Sequence, residues 1–297
     1  MKKLFHLLFA LALPLQAFCA GAAPADELKL MTFNIRYGRA ADGPDSWEFR
    51  KELVVETIKK FDPDILGLQE ALDFQIQYLT ENLTQYAWVG VGREDGRNKG
   101  EFSPVFFKRK RFEVLAWSCF WLSETPHLPG SKGWDAALPR IVTWVRLGLT
   151  DGSGRVIYVF NTHFDHRGQA ARLQSARLLR RRLDVIGPGR TIVVLGDFNA
   201  SKGSQPYRAL LNPPESLFPK ARLVDAYALL HPEEPPAGEG TFHGFSGKAS
   251  RGRIDWVVLS DDAEVKTASI LRDNRAGRYP SDHFPVAVLC TLKAQER

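Results

Sequence analysis

The chain has 297 residues, of which 44% are hydrophobic and 25% charged. That composition excludes a disordered or fibrous chain and leaves enough apolar mass for a sizeable core. The formal charge of +6 suits an anionic ligand, but an excess of this size says more about solubility than about a nucleic-acid-binding face.

In chain order, the first segment reads as an export signal. Lys2 and Lys3 precede an apolar run from Leu4 to Leu15, and small residues follow at Ala20-Gly21-Ala22-Ala23. This pattern predicts a signal peptide over residues 1–22, cut after Ala22, with Ala23 or Ala25 as alternatives. The run is too short to span a bilayer. Gln16-Ala17-Phe18 in front of Cys19 is a poor lipidation signal. Cleavage removes two lysines and no acid, which leaves a charge of +4. A periplasmic or secreted protein is expected, with no transmembrane segment in the mature chain. Cys119 and Cys290 remain; in an oxidising compartment they either pair or stay as buried thiols.

Residues 27–294 read as one α/β domain. Leu28–Arg36 is the first predicted strand, followed by a Gly-rich loop. Ser46 or Asp45 can N-cap the next helix, with Glu48 or Phe49 at N3, and Asp45-x-x-Glu48 fits a capping box; the packed face of that helix is Val54, Val55 and Ile58 with Trp47 upstream. Pro63 ends that helix. Ile65–Glu70 is a short buried strand that closes on a carboxylate, and a helix over about Phe74–Leu83 follows. Ala87–Val91, Ser103–Lys108, Glu113–Trp121, Ile141–Leu149 and Arg155–Asn161 are strand-like. Asp151-Gly152-Ser153-Gly154 makes a hairpin between the last two. A Gly/Pro loop, Ser123–Pro139, carries Trp134. Gln169–Ile186 is an arginine-rich helix, read as a solvated face. Thr191–Asn199, TIVVLGDFN, is the central strand. Asp197 and Asn199 leave its end on one side and Phe198 on the other. A short helix near Tyr207–Leu211, a Pro-rich loop over His231–Gly240, and strands at Arg253–Ser260, Val265–Leu271 and Val286–Leu292 complete the chain.

Polar groups recur where apolar runs end: Asn34, Glu70, His163, Asp197 with Asn199, Asp255, and Asp282 with His283. Each alone has a bland reading as a turn, a cap or a structural histidine. Together they fit the parts needed to hydrolyse a phosphate ester. Glu70 and Asn34 offer hard oxygen donors for Mg²⁺ or Mn²⁺. Asp197 fits the base that activates water. Asn199, His163 and His283 fit donors to the transition state. Asp255 can hold His283 in its charged form. Zinc fits poorly, because the histidines lack paired helical spacing and the cysteines do not cluster. A lipase-type serine hydrolase fits poorly, because no G-x-S-x-G occurs.

The ordered motifs MTFNIRYG, LGLQE, NTHFDH, LGDFN, RIDWV and SDHFPV resemble the endonuclease/exonuclease/phosphatase superfamily, from about Leu28 to Leu292. Its members include DNase, AP endonucleases, deadenylases, sphingomyelinases and inositol-polyphosphate phosphatases. The resemblance implies a four-layer α-β-β-α sandwich: two mixed β-sheets packed face to face, helices outside, and an active site at one edge. It implies that Asn34 and Glu70 take the metal and that His163 and Asn199 contact the scissile phosphate. It further implies that Asp197 positions or deprotonates water, that Asp255 orients a phosphate-binding His283, and that Asp282 lies beside the metal.

The inositol-phosphatase signature is missing: Leu195, not tryptophan, precedes Gly196. No equivalent of the DNA-wedging loops of AP endonucleases is seen. The likeness runs to secreted bacterial members and to the sugar-phosphatase and deadenylase-like branches. Shared extras are Arg36, Ser46-Trp47-x-x-Arg50, Gly133-Trp134-Asp135, Pro139-Arg140 and Asp165-His166, all expected to line the pocket. Arg36 and Arg140 are candidate phosphate clamps. Trp134 either stacks on a sugar or base or belongs to the core. The expected substrate is a small phosphorylated metabolite such as a sugar phosphate, acted on by a monomer. A nuclease or sphingomyelinase-like phosphodiesterase is the alternative. A non-catalytic binding protein on the same fold is opposed by the intact Glu70, Asp197, Asp255 and His283.

Overall fold

The computed structural model describes residues 27–187, 189–213, 222–233, 238–249 and 252–293. The segment read as a signal peptide lies outside the described residues, as does part of the Pro-rich loop. Strands β1 (Glu27–Asn34), β2 (Ile65–Gln69), β3 (Tyr86–Val89), β4 (Val105–Lys108), β11 (Ala263–Ile270) and β12 (Val286–Leu292) form one six-stranded sheet, in the order β11-β12-β1-β2-β4-β3. Strands β5 (Phe112–Trp121), β6 (Ile141–Leu149), β7 (Val156–His163), β8 (Thr191–Asp197), β9 (Leu223–Asp225) and β10 (Asp255–Ser260) form the other, in the order β5-β6-β7-β8-β10-β9. Each sheet is mixed. β1 and β2 are parallel, joined through helix α1 (Trp47–Phe61); β7 and β8 are parallel, joined through helix α3 (Gln169–Ile186).

The alternation of side chains along each strand builds the layers. Leu28 and Leu30 of β1 meet Val193 and Leu195 of β8 in the core between the sheets. Met31 and Phe33 point the other way, onto Val54 and Ile58 of α1 and onto Ile76 and Leu79 of helix α2 (Asp73–Asn82). Ile192 and Val194 pack on Ala176, Leu179 and Leu183 of α3 and on Leu210 of helix α4 (Gln205–Leu211). The result is the expected four-layer sandwich. β8 is buried on both faces, which explains its unbroken aliphatic run. Each fully buried Val or Leu contributes about 1.5–3 kcal/mol.

Several strand ends differ from the sequence reading. β1 and β2 stop before Arg36 and Glu70, which turn into the left-handed region at φ 63 and 60. β4 starts after Pro104, which has no N–H to pair. β9 and helix α5 (Ala226–Leu230) were not foreseen. The Asp45–Glu48 capping box does not form: Ser46 is the N-cap without a side-chain bond, Asp45 closes a 3₁₀ turn, and Glu48 pairs with Lys51 instead. Cys119 and Cys290 are free thiols. No described helix is long and apolar enough to cross a membrane.

Polar cross-links tie the two sheets near the end where the site forms. Asn161 of β7 donates to the carbonyls of Leu68 and Pro104, both at 2.8 Å, and accepts from Gln69 Nε2 at 2.7 Å. Gly67 makes this possible, since a Cβ there would lie 2.7 Å from Asn161 Oδ1. The amide donors of Asn161 and Gln69 are paired while Gln69 Oε1 has no partner, and the paired donors tie the two sheets together.

Candidate active site

The strand ends converge on a cavity of about 530 Å³ at one edge of the sandwich. Arg36, Glu70, Arg140, His163, His166, Asp197, Asn199, Asp282 and His283 all line it. Register explains the convergence. His163 and Asp197 are partners in the parallel β7–β8 pair, and Asp197 and Asp255 are partners in the antiparallel β8–β10 pair. Asn34 at the end of β1 crosses the gap between the sheets. Its Nδ2 donates to Asp197 Oδ2 at 3.0 Å and to Glu70 Oε1 at 3.1 Å.

Three site residues sit in the left-handed region: Arg36 (φ 63), Glu70 (φ 60) and Asn199 (φ 47). For residues other than glycine this costs on the order of 1–3 kcal/mol each, and such strain collects at functional sites. The bend at Glu70 lets its Oε2 accept the Tyr37 N–H at 2.6 Å. The bend at Asn199 places its N–H 2.9 Å from Asp197 Oδ1.

The two histidines are in opposite states. His283 Nδ1 lies 2.9 Å from Asp255 Oδ2. Burial disfavours charge on His283, but Asp255, Asp197 and Asp282 outweigh it and hold its pKa well above the usual imidazole value. The ring is therefore an imidazolium, and its Nε2 faces Asp197 Oδ2 at 3.8 Å. His163 is pushed far down, first by burial and then by Arg140 and Arg93. It is neutral. Asn199 Nδ2 reaches its Nε2 at 3.0 Å, which makes that nitrogen the acceptor and leaves the proton on Nδ1. Nδ1 is buried without a hydrogen-bond partner, 3.8 Å from Glu101 Oε2.

Asp197 is 1% exposed, and burial together with Asp255 raises its pKa to about 7. Such a carboxylate can exchange a proton near neutral pH. Asp282 is also raised, by burial and by Glu70, and Arg36 Nη1 is its nearby cation at 3.6 Å. Donor atoms of Asp197, Asp255 and His283 lie within 4.8 Å of one another, a spacing that could hold an ion. The charged ring and its short bond to Asp255 assign this group to proton work instead, because a metal-bound imidazole must be neutral. Glu70 and Asp282, hard carboxylates on the same cavity wall, are the better cation donors.

Arg140 is 3% exposed. Its Nη2 meets His166 Nδ1 at 2.9 Å and its Nε meets Asp165 Oδ1 at 3.5 Å, but its Nη1 has no partner. A buried guanidinium with an unpaired donor beside a cavity is ready for an anion.

Some expectations need correction. Trp134 is absent from the cavity wall; it packs against the core under α3, and Leu138 of the same loop lines the cavity instead. Both amide hydrogens of Asn199 are taken, by His163 and by the Phe164 carbonyl at 3.0 Å, so Asn199 orients His163 and has no hydrogen left for a phosphate. Asn34 turns its Nδ2 toward the carboxylates while its Oδ1 accepts the Arg36 N–H at 3.0 Å. Arg50 lies behind the wall, fully buried, donating to the carbonyls of Asp45, Ile35 and Pro280. Asp135 bonds the first-turn N–H groups of Ala170 and Ala171 in α3. The sequence reading missed Glu101, which lines the cavity in a two-bond pair with Arg93 at 2.7 Å, and Thr241, whose hydroxyl accepts the Ile254 N–H at 3.1 Å. Neither closes an apolar run that would have drawn attention to it.

The family model described as "Endonuclease/Exonuclease/phosphatase family" matches residues 31–283. The chain belongs to this family. The match runs from the start of the Asn34 motif through His283. Among solved structures, a family member from Bacteroides vulgatus is 35% identical, with a TM-score of 0.81, covering 90% of this chain and 99% of that one. A mannosyl-6-phosphatase from Bacteroides thetaiotaomicron is 34% identical, with a TM-score of 0.79, covering 89% of this chain and all of that one (100%). Among curated proteins, Nocturnin of Drosophila melanogaster is 24% identical over 318 residues, covering 90% of this chain. The chain spans about half (47%) of the length of that relative. Members of the family are metal-dependent phosphoesterases.

Proposed function

We propose that this chain is an exported phosphomonoesterase that uses Mg²⁺ or Mn²⁺ and hydrolyses a small sugar phosphate. The carrying observation is the arrangement around Asp197: the carboxylates of Glu70 and the buried Asp282 to one side, and Arg140, whose buried Nη1 has no partner, in the wall of the same cavity. A dianionic phosphate is attracted to both a bound cation and a guanidinium. The cavity volume of about 530 Å³ falls within the range of small-molecule sites. The mannosyl-6-phosphatase at 34% identity favours a sugar ester.

Glu70 and Asp282 would hold the ion, with Asn34 fixing Glu70. Their oxygen-only chemistry, and the rise of the Asp282 pKa through burial and Glu70, fit a hard divalent cation. When bound, the ion supplies charge neutralisation on the phosphoryl oxygens. Asp197 takes a proton from the attacking water as the new P–O bond forms. The ester P–O bond breaks opposite it, the leaving oxygen takes a proton from solvent water, and Asp197 returns its proton to solvent, which gives the alcohol and inorganic phosphate. The His283 imidazolium donates through Nε2 to the charge that grows on phosphorus-bound oxygen. Asp255 keeps that ring charged and oriented. Arg140 binds the phosphate, and Arg36, whose Nε and Nη2 are held by Asp42 at 2.9 and 2.8 Å, adds positive charge beside it.

A phosphodiester reading uses the half-buried Arg172 in the cavity wall as a contact for a neighbouring phosphate. The test is a Mg²⁺- and Mn²⁺-supplemented screen of sugar phosphates, nucleotides, phosphodiesters, phospholipids and single-stranded nucleic acid. Release of inorganic phosphate from hexose phosphates with little diester cleavage is expected. Preferential cleavage of diesters or nucleic acid would overturn the reading.

A further inference from the structure

A second cavity of about 400 Å³ adjoins the first. Tyr37 lines both. The loop after β3 also serves both, with Glu101 in the first cavity and Glu94, Asn98, Lys99 and Gly100 in the second.

This second cavity is a built feature. Gly92 N–H donates to Arg97 O at 2.9 Å, Glu94 N–H to Lys99 O at 3.1 Å, and Arg93 N–H to Glu101 O at 3.0 Å. Asp95 Oδ1 accepts the N–H groups of Arg97 and Lys99 at 2.8 and 3.0 Å. The opposite wall is equally fixed. Gln75 Oε1 accepts the Gly38 N–H at 3.1 Å, and Gln75 Nε2 donates to Arg36 O at 3.1 Å. The start of α2, with Asp73 and Phe74, is thereby held beside Tyr37, whose N–H is bound to Glu70. The route from the cation-binding carboxylate to the second cavity is one residue long.

The lining chemistry selects the occupant. Phe74 is half-buried and offers apolar surface, with the Arg39 guanidinium 5.9 Å from its ring centroid. Around it stand two cations, Arg39 and Lys99, two acids, Asp73 and Glu94, and the amide of Asn98. The charges balance, so a second phosphate has no advantage here. Donors and acceptors are both plentiful beside an aromatic ring, and that mixture suits a neutral ring with hydroxyls in its plane and C–H groups on its face.

We infer that the alcohol part of the substrate continues past Tyr37 into this cavity, where a second, neutral sugar ring sits against Phe74. The inference rests on the sugar-phosphatase reading above. The preferred substrate is then a phosphorylated disaccharide or longer glycan, with the scissile phosphate at Asp197 and the next sugar between α2 and the loop after β3.

The experiment compares a hexose 6-phosphate with the disaccharide that carries the same phosphate on its non-reducing ring, at saturating Mg²⁺. The wild-type protein should give a ratio of kcat/KM, disaccharide to monosaccharide, of about ten or more, mostly through KM. In Phe74→Ala that ratio should fall towards one. Asn98→Ala, at an exposed loop position, should lower it in the same direction and covers the case in which Phe74→Ala does not fold. A wild-type ratio of one overturns the inference while leaving the sugar-phosphatase reading intact, and so does an unchanged ratio in both variants. Failure to hydrolyse either ester overturns both.

Discussion

His283 Nδ1 and Asp255 Oδ2 lie 2.9 Å apart, both buried, and Asp255 stands opposite Asp197 across two strands. One carboxylate charges the ring, and the other faces the ring's free nitrogen at 3.8 Å. The site thereby holds a proton donor and a proton acceptor side by side.

This arrangement sets the kinetic expectations. A positioned base commonly contributes about 10²–10⁴-fold and a preorganised charge donor about 10²–10³-fold. Asp197→Asn and His283→Ala should each lower kcat by at least about two orders of magnitude. Asp255→Asn should do less, since it acts through the ring. The Asp255→Asn/His283→Ala double variant should be little worse than His283→Ala alone, because groups acting as a unit are non-additive. Single-turnover kinetics at saturating Mg²⁺ read these values. Multiplying losses for Asp255 and His283 would show that the two do not act together.

Glu70 offers the carboxylate nearest the Tyr37 turn, fixed by Asn34 and the Tyr37 N–H. Glu70→Gln keeps its size but removes the charge. The variant should remain folded by circular dichroism and need at least about tenfold more Mg²⁺ for half-maximal rate, equivalent to about 1.4 kcal/mol of lost binding. An unchanged Mg²⁺ titration would move the cation site elsewhere.

The sequence reading worked where chemistry closes an apolar run. Asn34, Glu70, His163 and Asp197 each close a run of buried strand residues, while Asp255 opens β10 and His283 precedes β12, so their convergence was legible once the strands were assigned. Asn161 and Gln69 were not, because their partners are on the opposite sheet. Glu101 and Arg93 bracket an irregular loop whose shape depends on backbone bonds across it. Trp134 and Arg50 carried the right chemistry in the wrong layer. Nothing in local spacing distinguishes a tryptophan packed on the core from one in a cavity wall, or a guanidinium bound to carbonyls from one waiting for phosphate.

Export predicts a specific product. Lys2, Lys3 and the apolar run to Leu15 should be missing from mature protein recovered outside the cytoplasm, with a new N-terminus near Ala23. N-terminal sequencing or intact mass would decide it. A soluble cytoplasmic pool that retains Met1 would mean the segment has another role.

Asp165 links fold stability to phosphate binding. Its Oδ1 accepts the N–H groups of Ala137 and Leu138 at 3.1 and 3.3 Å, and its Oδ2 accepts those of Arg167 and Gly168 at 2.9 and 2.7 Å. Arg140 Nε is also within 3.5 Å of Oδ1. Burial would raise this carboxyl, but the bonds from Gly168, Arg167 and Ala137, with Arg140, outweigh it and hold its pKa at about 2. The unfolded chain should titrate near the ordinary value of about 3.9. A depressed folded value stabilises the protein above the unfolded pKa, and that stabilisation is lost as pH falls towards the folded one. Asp165→Asn turns an acceptor into a donor facing other donors, at a cost of about 1–3 kcal/mol. Urea unfolding should therefore show the full gap between wild type and variant at pH 7 and at pH 5, and a smaller gap at pH 3. The same variant should raise KM for the phosphoester more than it lowers kcat, because Arg140 loses its anchor while Asp197 and His283 keep theirs. A gap that stays constant from pH 7 to pH 3 would show that the ionised carboxylate contributes nothing beyond its shape.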